Sequence, residues 1–246
     1  MLNSLVTAIR TLTIFPIPGK DTDDLASALP WFPLIGLLIG SLLYGIAIIS
    51  IEWTDGLAVL VIVAEVILTR GLHLDGFADW ADGFWGGKDK ESVLRIMKDP
   101  SVGAFGAIAL ICAILAQWAC YVCLIETNSQ VWIIAACVLS RTMQVVLTTT
   151  NSYARDTTGT AAPFIENARF SHMAIAIAAA SLIILVIGQF NWMWLGVLAI
   201  AWFPTRIFGA VCKRRIDGIT GDLLGAANQI VEILILAVGC FITSSN

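Results

Sequence analysis

Asp75, Asp79 and Asp82 stand in the stretch "GLHLDGFADWADG", residues 71–83, directly after an apolar run. Their spacing is i, i+4 and i+7, which on an α-helix puts three carboxylates on one face, within about 40° of one another. Ionised carboxylates so placed repel one another, the more so near lipid, unless a countercharge is present. A divalent cation removes the repulsion. Hard oxygen ligands without neighbouring thiolates suit Mg²⁺ or Mn²⁺ rather than zinc, and Mg²⁺ usually keeps positions for water and substrate phosphate. The chemistry indicated is a metal–diphosphate site; the alternative is an acidic, solvated loop with ordinary helix caps. Gly76 and Gly83, beside the aspartates, are expected to let a bulky ligand approach the backbone.

Other polar residues are placed to join this cluster. His73, one of two histidines, precedes Asp75 by two positions; it reads either as a general base or as a packing residue. Lys98, in "RIMKDPSVGAFG", is a candidate phosphate contact or an interfacial anchor. Asp222, in "GITGDLLGAANQ", reads as a helix N-cap or as a fourth carboxylate from across the structure. Arg141 lies within an apolar run, where a charge costs roughly 3 kcal/mol at mid-membrane on insertion scales. It must face the interior and pair with an acid or a phosphate; Glu65 and Glu232, also within apolar runs, are its candidate partners.

The elements that hold these residues are membrane helices. Of 246 residues, 58% are hydrophobic and 13% charged, against about 25% charged in a soluble domain, and the mean hydropathy is +0.86. The net charge of −4 gives no sign of a nucleic-acid partner. Apolar runs fall at about 29–51, 56–70, 101–125, 130–150, 171–189, 192–211 and 222–243, which predicts an all-α polytopic bundle of about seven transmembrane helices. The second run is short, so its helix is expected to continue into "GLHLDG". Residues 1–15 look amphipathic and are expected to lie along the interface. No repeat, separate soluble domain or cleavable signal peptide is evident, and residues 1–246 read as one integral-membrane domain. Cys120 and Cys123 form a C-x-x-C, read as small packing residues on a transmembrane helix. The connections "EWTD", "ETNS" and "QFN" carry no Lys or Arg, whereas every loop-borne basic residue falls in the other connections. The positive-inside rule makes that basic side, with the aspartates, cytoplasmic.

The stretches "GLHLDGFADWADGFWGG", "RIMKDPSVGAFG", "LSRTMQVVL", "YARDTTGTAAPFI" and "TGDLLGAANQIVE" occur in the order seen in cobalamin synthases. The chain resembles that family, the adenosylcobinamide-GDP ribazoletransferases, over essentially its whole length. The resemblance implies an enzyme of a prokaryotic cytoplasmic (inner) membrane, working with Mg²⁺ in the assembly of the nucleotide loop of cobalamin. Its substrates would be adenosylcobinamide-GDP and α-ribazole or its 5′-phosphate, its products adenosylcobalamin or the 5′-phosphate, and GMP. A homo-oligomer is compatible with it. Asp75, Asp79, Asp82 and Asp222 would be the metal ligands, His73 and Asp82 the catalytic groups, and Lys98, Arg141 and Arg155 the contacts to the phosphorylated substrate. One departure is that the family segment reads closer to "KDSRxG", whereas Pro100 and Ser101 stand here; a basic residue at 101 is absent.

Three rival readings make different demands. A prenyltransferase of the ubiquinone-pathway type calls for a second Asp-rich cluster, and the late helices offer only Asp217 and Asp222. A CDP-alcohol phosphotransferase calls for D-x-x-D-G-x-x-A-R, which "DGFADWADG" does not match. An ion-coupled transporter would use Glu65, Arg141 and Glu232 as its pathway and catalyse nothing.

Overall fold

The computed structural model describes residues 1–49, 52–155 and 159–244. Asp156–Thr158 of "YARDTTGTAAPFI" lie outside them. The elements in chain order are α1 (Leu2–Leu12), a 3₁₀ segment (Leu25–Trp31), α2 (Phe32–Ala47), α3 (Thr54–Thr69), α4 (Leu72–Gly86), α5 (Lys90–Ile96), α6 (Ala104–Glu126), α7 (Val131–Thr150), α8 (Ala162–Glu166), α9 (Phe170–Ile187), α10 (Met193–Ile216) and α11 (Gly221–Ser244). No strand forms among the described residues; Tyr153 and Ile219 make one isolated bridge.

Among the described residues, six helices are long and apolar enough to cross a membrane: α2 with its 3₁₀ extension, α6, α7, α9, α10 and α11. α3 and α4 reach that length and apolarity only as a pair, bent by 89°. The expected all-α membrane bundle is therefore present, but the helix of its second run does not continue unbroken into "GLHLDG". Arg70 (φ 57°) and Gly71 (φ 67°) are both left-handed, a conformation that ends a helix and that only glycine adopts without strain. The Arg70 guanidinium secures the break by donating to the carbonyl of Arg10 at 3.0 Å, at the end of α1. The Ile14 amide donates to the Leu68 carbonyl at 2.7 Å, tying the same two chain ends. The helix thus ends with α3, and α4 sets off at 89° to it.

The central helix is α7, buried along nearly its whole length from Trp132 to Thr148. Against it α2 presents Gly36 and Gly40, where an added Cβ would meet the α7 backbone; at Gly40 it lies 2.8 Å from the Ile134 Cα. This small-xxx-small face lets two backbones approach closely, as membrane helices do when burial from water is not available to drive packing. The outer helices turn large apolar side chains outward, among them Ile108, Ile111, Leu115, Leu182, Val186 and Phe203. That is an inside-out arrangement suited to lipid, with the polar groups in the middle.

One end of the bundle gathers the basic connections. Lys90 Nζ lies 3.1 Å from Asp217 Oδ2, Arg215 donates to the Lys88 carbonyl at 3.3 Å, and Tyr153 bridges Ile219. The opposite end holds the α6–α7 turn beside the end of α11, where Thr127 and Thr243 hydroxyls are 3.4 Å apart.

Candidate active site

The site is made where α4 crosses the first turns of α11. Gly76 of α4 sits directly on the Asp222 backbone: an added Cβ would lie 3.0 Å from the Asp222 Cα and closer still to its carbonyl oxygen. One turn along, a Cβ at Gly225 would lie 3.1 Å from the Leu72 carbonyl and 3.4 Å from the His73 Cα. The glycines beside the aspartates therefore serve helix–helix contact, and Gly76 also lines a cavity. Gly83 likewise packs against Met97. This crossing brings Asp222 into the electrostatic reach of both Asp79 and Asp75, 140 or more residues away in the chain.

The expected face of three aspartates is divided. Asp75 is exposed and Asp79 half-buried, but Asp82 is buried and turned to the start of α6. Its two oxygens accept from the amides of Gly103 (2.7 Å) and Gly106 (2.8 Å). An unpaired helix N-terminus needs acceptors and favours negative charge, and Asp82 meets both needs from a neighbouring helix. Glycine is required at 103 and 106 because a Cβ at either would strike this carboxylate. Here both Asp82 oxygens are engaged as the cap of α6 and not with the carboxylates of Asp75 and Asp79.

Asp222 is not a cap. The Thr220 hydroxyl accepts from the Leu223 amide at 3.4 Å and so serves the α11 N-terminus, which leaves the Asp222 carboxylate to receive Arg155 Nη2 at 3.0 Å. Arg155, Lys98, Tyr153 and Asp222 line a cavity of about 310 Å³ at this end of the bundle. On the other side of Asp222 lies a second cavity of about 380 Å³, with Asp75, His73, Gln144 and Arg70 among its polar walls and Leu12, Leu29, Phe32, Phe164 and Leu224 among its apolar ones. Asp222, Gly221, Thr160 and Ala161 belong to both. The candidate contacts Lys98 and Arg155 are thus brought together, and Asp222 stands between a basic chamber and an apolar one.

His73 is nearly fully buried. Its Nδ1 lies 3.5 Å from Gln144 Nε2, and its Nε2 has no hydrogen-bond partner in the chain. Burial, helped by the charge of Arg141, pushes its proton affinity down to about 3. A ring so placed stays neutral.

Arg141 does not reach either cavity. It is fully buried in α7, pairs with Glu232 of α11 and lies 3.9 Å from Glu65 of α3. Gln117 and Tyr121 of α6 donate to Glu65 at 3.0 and 3.1 Å, and Asn228 donates to Glu232 at 3.2 Å. The intramembrane acids are its partners, and the contact to substrate phosphate expected of it gives way to an internal ion-pair network.

The carboxylates fit a divalent ion in a particular way. Asp79 is pushed up to about 7, first by burial and then by the charges of Asp222, Asp75 and Asp82, with Arg155 opposing. Such an excess of negative charge on hard oxygens is what a divalent cation relieves. Among the described residues, no three carboxylate, imidazole or thiolate groups converge closely enough to hold a metal by themselves. The donors suit an ion held by one or two carboxylates and completed by substrate phosphate, which is usual for Mg²⁺, and not a closed set of four aspartates.

Sequence reasoning missed Arg70, Gln144, Thr160, Phe164 and Thr220. They come from different elements, with no spacing to mark them, and only the break at Arg70–Gly71 carried a local signal, the glycine.

An all-helical membrane bundle with a carboxylate-and-cation site at one end is the class of protein that fold and site define. A family model described as cobalamin-5-phosphate synthase matches residues 4–240, and the chain belongs to that family. Relatives named adenosylcobinamide-GDP ribazoletransferase include those of Chlorobaculum parvum, 43% identical over 96% of this chain and 94% of the relative, and of Chlorobium phaeobacteroides, 42% identical over 98% of each. The protein of that name from Syntrophobacter fumaroxidans is 35% identical over 94% of this chain and 95% of its own length. No solved structure matches the chain.

Proposed function

We propose that the chain is an adenosylcobinamide-GDP ribazoletransferase that carries out its reaction in the paired chambers on either side of Asp222. A hydroxyl oxygen of α-ribazole, or of its 5′-phosphate, forms a bond to the phosphorus that stays with cobinamide. The bridging P–O bond breaks with its electrons going to GMP, and the hydroxyl proton is lost to the protein. The observation that carries this reading is that one carboxylate, Asp222, is shared by a chamber holding Lys98 and Arg155 and by a chamber walled largely by apolar side chains. A diphosphate belongs with the two cations, which hold its non-bridging oxygens and offset the charge that builds on GMP. The acceptor belongs on the other side.

Asp222 with Asp75 or Asp79 would hold Mg²⁺, which when bound neutralises charge on the phosphate oxygens. Arg155, tied to Asp222, sets the height of that carboxylate between the chambers. The acceptor proton passes to a carboxylate of the cluster and not to His73, whose low proton affinity makes it a poor base near neutrality. His73 instead positions the acceptor, held from behind by Gln144. The gathering of the basic connections at the site end supports a cytoplasm-facing site in the inner membrane of a prokaryote.

The test is GMP release by purified protein in nanodiscs supplied with adenosylcobinamide-GDP and α-ribazole, with and without Mg²⁺. Release that needs both substrates and is lost on chelation is expected. No GMP release in the presence of Mg²⁺ overturns the function; release that persists in chelator overturns the metal role.

A further inference from the structure

We propose that the 380 Å³ cavity is the subsite for the planar aromatic base of the ribazole acceptor, with Phe32 and Phe164 as its walls. The assignment rests on the reaction proposed above and adds which substrate occupies which chamber. Three observations carry it.

The first is size. Small-ligand pockets run from about 300 to 1,000 Å³, and this one lies near the lower end. It suits a nucleoside-sized acceptor, whereas a corrin macrocycle with its peripheral amides and upper nucleoside is several times larger and must lie outside.

The second is wall chemistry. Phe32 and Phe164 form a tilted pair with ring centroids 6.4 Å apart and an interplanar angle of 54°. Leu29 and Leu224 complete the apolar surface. A dimethylated benzimidazole presents an apolar edge and two π faces and needs few hydrogen bonds, so it matches these walls. Guanine, the other base in the reaction, presents a polar edge whose donors and acceptors such walls would leave unpaired. It also arrives attached to a diphosphate, and the cations Lys98 and Arg155 line the other chamber.

The third is the polar part of the lining. His73, nearly fully buried and with Nε2 lacking a partner, lines this cavity together with Asp222. With the base against the phenylalanines, the ribose hydroxyls face the histidine and the shared carboxylate, next to the chamber that holds the phosphorus.

The test is steady-state GMP release with each substrate varied in turn, using Phe164→Leu and, because Phe164 supports the fold, also Leu224→Ala, whose side chain is only partly buried. Losing an aromatic wall should raise the KM for α-ribazole about tenfold. The KM for adenosylcobinamide-GDP should stay within about twofold of the parent. A rise confined to adenosylcobinamide-GDP overturns the assignment and gives the cavity to the corrin or guanosine half. Both KM values unchanged in both variants overturns it as well. A parent that releases no GMP removes the function and this assignment together; a parent that turns over normally, with the wrong KM moving, removes the assignment alone.

Discussion

Gly76→Ala is the sharpest perturbation the geometry offers. The added methyl would sit 3.0 Å from the Asp222 Cα and 3.1 Å from its carbonyl carbon, with the carbonyl oxygen nearer still. These are backbone atoms in the first turn of α11, and no rotamer change relieves the clash. Ordinary contact begins at about 3.4 Å and is wider for carbon pairs, so α4 and α11 must separate by several tenths of an ångström to about 1 Å. Overpacking of this kind costs about 1–3 kcal/mol, which a bundle of this size should survive. Function should suffer more, because the same crossing sets Asp75 and Asp79 opposite Asp222, and a displacement of about 1 Å at a reacting centre costs about 10² in rate. GMP release by Gly76→Ala should therefore fall about a hundredfold, while thermal unfolding in nanodiscs drops by only a few degrees. Gly45→Ala is the matched control, since a Cβ there meets nothing within 4 Å, and it should leave both unchanged. Parental turnover in Gly76→Ala would show that the crossing does not set the catalytic spacing, and the site as assembled here would be wrong.

Asp82→Asn keeps one acceptor for α6 and loses the other along with the charge, so it should cost about 1–2 kcal/mol of stability and leave turnover within about threefold; loss of all turnover in a folded variant would return Asp82 to the metal site. Arg141→Leu leaves Glu232 and Glu65 without their buried countercharge, and breaking such a pair costs about 3–5 kcal/mol; a melting temperature equal to that of the parent would refute the network. His73→Gln, which keeps hydrogen-bonding capacity but cannot act as a base, should keep turnover within about tenfold if His73 positions the acceptor, whereas loss of about 10²–10⁴ would restore the base role. A cysteine probe at Asn128 should label from outside the cell and one at Lys88 should not; the reverse pattern would invert the orientation.

The bundle was legible in the sequence because lipid demands long apolar runs, and each run from 101 onward became one helix. The break at Arg70–Gly71 was not, since the apolar pattern continues across it and the turn depends on Arg70 reaching the end of α1, 60 residues earlier. The periodicity placed Asp75, Asp79 and Asp82 on one helix correctly, but periodicity cannot say what packs on that helix. The approach of α6 took Asp82 from the face, and the approach of α11 added Asp222. The pairing of Arg141 with Glu65 and Glu232 could be anticipated because a charge in an apolar run has few alternatives. The choice between phosphate and acid could not, since it turns on depth in the bundle.

The internal ion pairs and the site at the bundle's end are parts of one arrangement. Glu232 lies ten residues after Asp222 on α11, roughly 15 Å along the axis. Glu65 lies five residues before Arg70, where α3 ends and α4 begins. Arg141 lies three residues before Gln144 on α7, and Gln144 reaches both His73 and the Leu224 carbonyl, the latter at 3.2 Å. Each charged member of the buried network therefore sits on a helix that also leads to a group of the site, less than three turns away. In a bundle packed largely through apolar and small side chains, sliding or rotating one helix against another is opposed only weakly. A buried guanidinium with two acids on two other helices opposes it strongly, because any slip separates charges where no water replaces the partner. The network contributes less to net stability than its charges suggest, since desolvation offsets much of their attraction. What it supplies is register: it fixes the depth and rotation of α3, α7 and α11, and through them the spacing of His73, Asp75 and Asp222.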